Sequence, residues 1–233
     1  MDTVDTVLVS RHALTPRTTQ YVLRADDHTF SFKPGQHTSI VMPDRSPPVV
    51  RPYSPVNQPG TNALVLAIKR YDDGTCSTWM DARSVGDTVP VMPLSGNLQL
   101  RDLNRDVVFL STGTGITPLL SMARQYLTEG TGHITFVHGE KRPETLLYRE
   151  TLDLLAAEHD RLSVHYVLSD VEWPGRTGFV QSHLDTYDAD WESAHVYVCG
   201  VPQMVVDTLD TLADYGLPDE RVFSEGWESG SVS

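Results

Sequence analysis

Cysteine is nearly absent: the 233 residues hold only Cys76 and Cys199. Two thiols exclude a disulfide framework, and they exclude an iron–sulfur cluster held by four cysteines of this chain. No metal site is expected. Long apolar runs are missing too. Nothing approaches the ~18 residues that cross a bilayer, and Met1-Asp2-Thr3-Val4-Asp5 is acidic, without the apolar segment of a signal peptide. The expectation is a cytoplasmic protein with no membrane insertion. Lysine is scarce, at Lys33, Lys69 and Lys141 alone. The net charge is −13 and the pI about 5.0, which excludes duplex nucleic acid as a partner, because binding it needs a basic surface. Dispersed Asp with little Lys is what a surface adapted to high salt carries, since salt screens self-repulsion. A merely acidic cytosolic protein would look the same.

A chain of this length holds one large domain or two of about 100–130 residues. Up to about residue 102 it reads as short strands and turns. Thr6–Ser10, Thr19–Leu23, Thr38–Met42 and Ala63–Ile68 are rich in β-branched and aromatic residues, and Pro34-Gly35, Pro43-Asp44 and Pro59-Gly60 punctuate them. Such spacing fits a sandwich or barrel. Within this half, Arg51-Pro52-Tyr53-Ser54 combines a donor fork suited to phosphate, a fixed backbone, a flat aromatic face and a hydroxyl. On an extended backbone Arg51 and Tyr53 point to one side, Pro52 and Ser54 to the other. A ligand with a phosphate at one end and a flat ring at the other would use most of the set. Farther on, Gly74-Thr75-Cys76-Ser77 opens a short helix after Asp72-Asp73. Free N–H groups there suit an anion. By itself the stretch reads better as a helix capped by Thr75 or Ser77, a cap being worth about 1 kcal/mol.

From Asp106 onward strands and helices alternate, which implies a parallel sheet of five strands with helices on both faces. The strands are expected at Val107–Leu110, His133–His138, Leu162–Leu168, Val196–Cys199 and Arg221–Ser224. One helix shows Leu119, Leu120, Ala123 and Leu127 on one face, a second is expected over Pro143–His159, and a third carries Val205, Leu209 and Leu212. A short helical piece is expected near Val180–Leu184. The change of pattern divides the chain into 1–102 and 103–233. In such sheets ligands sit beyond the carboxyl ends of the strands. Two strand-to-helix loops lie there: Gly113-Thr114-Gly115-Ile116-Thr117-Pro118 and Cys199-Gly200-Val201-Pro202-Gln203-Met204. The first lets the backbone approach a pyrophosphate, although Pro118 stands where the usual dinucleotide fingerprint has its third glycine. Cys199 reads either as a small buried apolar residue or as an uncharged thiol facing a bound ring.

These motifs, with the terminal Glu225-Gly226-Trp227, stand in the order found in the ferredoxin–NADP reductase family of flavoproteins, which the chain resembles from about residue 4 to 228 without a fused iron–sulfur domain. The resemblance implies a Greek-key antiparallel β-barrel binding FAD, with FMN as the alternative, followed by an NAD(P)-binding domain. It implies that Arg51 holds a flavin phosphate, that Tyr53 lies along the flavin beside Pro52, and that Ser54 bonds near flavin N5. Ala67, Ile68 and Lys69 would line the flavin. Gly74, Thr75, Cys76 and Ser77 would cradle the pyrophosphate, Cys76 and Ser77 through their backbone N–H groups. Gly113, Thr114, Gly115, Ile116, Thr117 and Pro118 would take the nicotinamide nucleotide's pyrophosphate. Cys199 and Gly200 would border the nicotinamide, Glu225 would lie near the flavin, and Trp227 occupies the place of an aromatic residue. Ser54, Cys199 and Glu225 are the expected catalytic residues. Hydride would pass from NADH or NADPH to the flavin, and electrons singly to a separate ferredoxin, flavodoxin or oxygenase component. The alternative is a non-catalytic or electron-shuttling flavin-binding subunit of a larger complex. Ser169-Asp170 leans towards NADH, since relatives using NADPH often carry an arginine there. Lys141 and Arg142 could instead serve a phosphate. The acidic surface disfavours an acidic ferredoxin unless salt screens the repulsion.

Overall fold

The computed structural model describes residues 2–225, so Gly226 and Trp227 lie outside the described residues. The chain divides into two compact units at Gln99/Leu100. Charge divides with them. Up to Gln99 there are nine Lys and Arg against nine Asp and Glu; from Leu100 there are nine against twenty-two. The whole excess of negative charge therefore belongs to the second unit.

The first unit is built from β1 (Val4–Thr15), β2 (Thr18–Arg24), β3 (Thr38–Met42), β4 (Val49–Tyr53), β5 (Ala63–Lys69), the seven-residue helix α1 (Thr75–Asp81) and β6 (Thr88–Val91). Its strands form one antiparallel sheet in the order β4-β3-β6-β1-β2-β5. Alternate residues point inward: Tyr21 and Leu23, Ile40 and Met42, Leu64, Leu66 and Ile68, and Val89 and Val91 make one core, with Met80 of α1. Fully burying each such side chain is worth about 1.5–3 kcal/mol. The sheet curls but is not closed into a barrel by a sixth strand pairing. At the seam between β4 and β5, loop groups take the place of a ladder. Val56 N–H donates to the Val65 carbonyl (2.9 Å), and Val65 N–H donates to Asn57 Oδ1 (2.8 Å). Asn57 Nδ2 donates to the Ala63 carbonyl (3.0 Å). The turn-rich run after Ser54 thus fastens one edge of the sheet to the other.

The second unit runs β7 (Val107–Thr112), α2 (Ile116–Glu129), β8 (Ile134–Glu140), α3 (Arg149–Glu158), β9 (Leu162–Leu168), β10 (Arg176–Thr177), β11 (His195–Cys199), α4 (Pro202–Asp214) and β12 (Val222–Glu225). The sheet is parallel, in the order β10-β9-β8-β7-β11-β12. It has six strands, not the expected five. The sixth, β10, is two residues long and paired with Val167 and Leu168, too short to leave a hydrophobic pattern. Arg176 fixes it from its side chain: Nη1 lies 3.0 Å from His165 Nδ1, Nε donates to Thr186 Oγ1 (3.1 Å), and the guanidinium covers the Tyr187 ring at 5.0 Å.

Val108, Leu110, Val196 and Val198 share a core with Met204, Val205 and Leu212 of α4. Neighbouring residues face the other way, where Phe109 meets the rings of Phe136 and Tyr197, and α2 buries Leu119, Leu120, Ala123 and Leu127. Helices therefore cover both faces. The helix expected over Pro143–His159 is interrupted. A single 3-10 turn at Pro143–Thr145 is followed by Leu146 and Leu147, both buried, and by Tyr148 at φ 53° before α3 begins. Burying two adjacent leucines turns the chain out of helical geometry there. No helix among the described residues is long and apolar enough to cross a membrane.

Candidate functional site

In the first unit, β4 delivers Arg51, Pro52 and Tyr53 opposite Ile40, Ser39 and Thr38 of β3. Arg51 is exposed, and its Nη1 donates to the Val50 carbonyl (2.8 Å). Tyr53 packs against the core, and Ser54 is buried. The Tyr53 hydroxyl and the Cys76 thiol lie close enough to act on each other's ionisation. Burial pushes both groups well up, with the Arg51 guanidinium acting in the opposite sense on each, so both stay protonated at neutral pH. Arg51 and Tyr53 are thereby brought together with the first turn of α1.

That turn is not capped as expected. Its N-cap is Gly74, with no side-chain cap bond. Ser77 Oγ donates to the Gly74 carbonyl (3.3 Å) and accepts from Tyr71 N–H (3.2 Å). Thr78 Oγ1 donates to the same Gly74 carbonyl (2.6 Å). A Cβ on Gly74 would sit 2.3 Å from Ser77 Oγ, so only glycine lets the serine fold back. With the Cys76 and Ser77 side chains both engaged inward, what the turn offers a ligand is backbone N–H. Ala67 and Ile68 are buried in β5, and Lys69 lies over the Tyr71 ring at 6.0 Å.

In the second unit the strand order reverses between β7 and β11, and the two expected loops meet there. A Cβ on Gly115 would lie 2.2 Å from the Cys199 carbonyl oxygen and 2.6 Å from Gly200 N. A Cβ on Gly200 would lie 2.3 Å from Thr112 Oγ1. That hydroxyl also accepts from Val201 N–H (3.3 Å). Two backbones pass in contact because neither carries a side chain at the crossing. Thr112 is a residue that sequence reasoning missed; a threonine ending a strand carries no pattern that announces it. Thr117 Oγ1 donates to the Thr114 carbonyl (3.0 Å). Ile116, Thr117 and Pro118 are buried at the start of α2. Their side chains fix the loop, and Gly113, Thr114 and Gly115 present its backbone.

Cys199 pairs in register with Ser111 on one side and Glu225 on the other. Burial, then the Glu225 charge, pushes its thiol well above the ordinary range. It is an uncharged thiol beside a carboxylate, not a nucleophile. The ends of β8 and β9 continue the ladder. Ser169 N–H donates to the Glu140 carbonyl (3.0 Å) and Asp170 N–H to the Lys141 carbonyl (3.1 Å), while Ser169 Oγ donates to Asp170 Oδ1 (2.8 Å).

The donor sets fit two phosphate-bearing cofactors, one per unit. The first pairs an exposed guanidinium with a helix start held open by glycine, and the second is a glycine crossing at the point of strand reversal. The known proteins agree. The family described as Oxidoreductase FAD-binding domain matches residues 5–99, and the Oxidoreductase NAD-binding domain matches residues 109–210. Ferredoxin–NADP reductase B of Sorangium cellulosum is 32% identical over 219 residues, spanning 88% of this chain and 89% of that one. The ferredoxin reductase component of a Rhodococcus rhodochrous 3-ketosteroid-9-alpha-monooxygenase is 31% identical over 205 residues; the match spans 86% of this chain but only 57% of that protein. The FAD/NAD-binding domain of a Vibrio cholerae nitric oxide dioxygenase shares the fold, with a TM-score of 0.88 at 19% identity over 97% of this chain and 99% of that one. On these matches the chain belongs to the ferredoxin–NADP reductase family of oxidoreductases, with FAD-binding and NAD(P)-binding domains.

Proposed function

We propose that this flavoprotein oxidises NADH, with NADPH disfavoured, and passes the electrons one at a time to a separate acceptor: a ferredoxin, a flavodoxin or an oxygenase component. The proposed flavin-binding domain is 1–102 and the nucleotide-binding domain 103–233. The observation that carries this reading is the contact of Gly115 with the Cys199 backbone, beside Glu225. It leaves a side-chain-free track for a nucleotide at the reversal of the parallel sheet.

FAD, once bound, would supply two-electron acceptance and one-electron release. The remaining work belongs to this chain's residues. Arg51 and the first-turn N–H groups of α1 hold phosphate. Tyr53 would offer its ring face to the flavin, and the buried Ser54 hydroxyl would supply it a hydrogen bond. Gly113–Gly115 admit the nucleotide's pyrophosphate. Cys199 keeps water from the nicotinamide pocket, and Glu225 places a carboxylate beside it. Asp170, a carboxylate following β9, disfavours the extra phosphate of NADPH.

Purified protein loaded with FAD should reduce dye acceptors and at least one of a panel of ferredoxins, flavodoxins and oxygenase components at the expense of NADH. A protein that binds the flavin but leaves it oxidised in excess NADH would instead be a non-catalytic flavin-binding subunit. Because the acidic charge belongs to the second unit, turnover with an acidic acceptor should rise as salt is added from low ionic strength.

A further inference from the structure

Glu140 ends β8, one residue beyond the Thr112–Gly139 pair. A methyl built on Gly113 would stand 3.9 Å from its Oε1. Its Oε2 accepts from Lys141 N–H (3.2 Å), which holds the carboxylate at the loop, and its carbonyl is bonded to Ser169. A half-buried carboxylate therefore stands beside the glycine loop at the end of the strand next to β7, on the strand that also bonds Ser169 and Asp170. Nothing in the catalytic reading above uses it.

An acidic group beside a loop that receives pyrophosphate needs a reason, because it repels what the loop attracts. A carboxylate is an acceptor only, and the vicinal hydroxyls of a ribose are donors that match it. In dinucleotide-binding sheets an acidic residue following the glycine loop, about 20 residues on, accepts from the ribose 2′-hydroxyl, and a 2′-phosphate at that place calls for arginine instead. We infer that Glu140 is a specificity-determining residue: its carboxylate accepts ribose hydroxyls of the nucleotide seated on Gly113–Gly115 and, together with Asp170, rejects the 2′-phosphate that distinguishes NADPH from NADH. Lys141 and Arg142, the exposed cations beside it in sequence, act against this preference, and the double variant measures the balance. The inference rests on the NADH reading and adds a residue to it.

The test uses the flavin-loaded full chain as wild type, Glu140→Gln, Asp170→Asn and the double variant. Glutamine keeps the acceptor for Lys141 N–H and removes the charge; Glu140→Ser is a second variant predicted to move the same way. The ratio of kcat/KM for NADH to that for NADPH should fall about tenfold in Glu140→Gln, through KM for NADPH, and fall further in the double variant. Independently of turnover, 2′,5′-ADP titrated against protein fluorescence should bind about tenfold tighter to Glu140→Gln than to wild type, with 5′-AMP binding no tighter. A ratio and a 2′,5′-ADP affinity within twofold of wild type in both Glu140 variants overturn the inference. A wild type that prefers NADPH overturns the NADH reading, and the titration still decides the role of Glu140.

Discussion

At Ser54 a buried hydroxyl stands one residue past the end of β4. Replacing it by alanine removes a hydrogen bond worth about 1.5–3 kcal/mol to a charge-accepting partner, so Ser54→Ala should keep its flavin and lose roughly 10- to 100-fold in the rate of flavin reduction. Rapid mixing with NADH measures this; an unchanged rate assigns Ser54 to packing alone. His138 makes a different prediction. Its Nδ1 lies 2.9 Å from Ser111 Oγ, whose hydroxyl donates to the Val137 carbonyl (3.1 Å), so His138 donates from Nδ1. Full burial pushes its pKa down to about 3. The unfolded chain takes up the proton near 6.5 and the folded chain does not, so stability is whole above that pH and falls as the pH drops towards 3. At about 1.4 kcal/mol per unit, acidification from pH 7 to 5 should cost about 2 kcal/mol through this residue. Denaturant unfolding at the two pH values measures it, and His138→Asn should flatten the slope. At this scale the sequence singles out Arg51, Tyr53 and Ser54 because their chemistry is rare in combination, and the structure sets the first two in β4 and Ser54 just beyond it. The approach of Cys76 to Tyr53 was not legible, since it brings α1 to β4 across the turn after β5.

The elements of the second unit were legible from hydrophobic period alone: β9 was expected at its observed bounds, and the buried face of α2 was read residue by residue. What escaped is governed by tertiary contacts. The helix beginning at Pro143 has a helical pattern, yet Leu146 and Leu147 are both buried and Tyr148 turns to φ 53°. The strand β10 owes its place to Arg176 rather than to its own two residues. In the first unit the sheet edge was legible as turns, but its fastening by Asn57 was not. The loop crossing gives the sharpest test at this scale. In Gly115→Ala the new Cβ would lie 2.2 Å from a backbone carbonyl, which cannot yield as a flexible side chain does. The two loops must part, so KM for NADH should rise at least tenfold while FAD stays bound. Unchanged KM would mean that the crossing does not form the nucleotide track.

For the molecule as a whole, one half is electrically balanced and the other holds the full charge of −13. Self-repulsion within the second unit falls as salt screens it. Raising sodium chloride from millimolar to molar should therefore stabilise the protein by about 1–2 kcal/mol, roughly 2–8 °C in melting temperature. Full stability in dilute buffer, with no gain on adding salt, would remove the case for a surface adapted to high salt. The sequence disclosed the total charge at once; its partition became visible only with the division at Gln99/Leu100. The central claim is that this polypeptide brings NADH to a bound flavin for direct hydride transfer. Anaerobic rapid mixing of the FAD-loaded protein with NADH, and with NADH deuterated at the transferred C4 position, tests it most directly. The predicted result is bleaching of the flavin's visible absorption in a single turnover, slower with the deuterated nucleotide; a flavin that stays oxidised in excess NADH would contradict it.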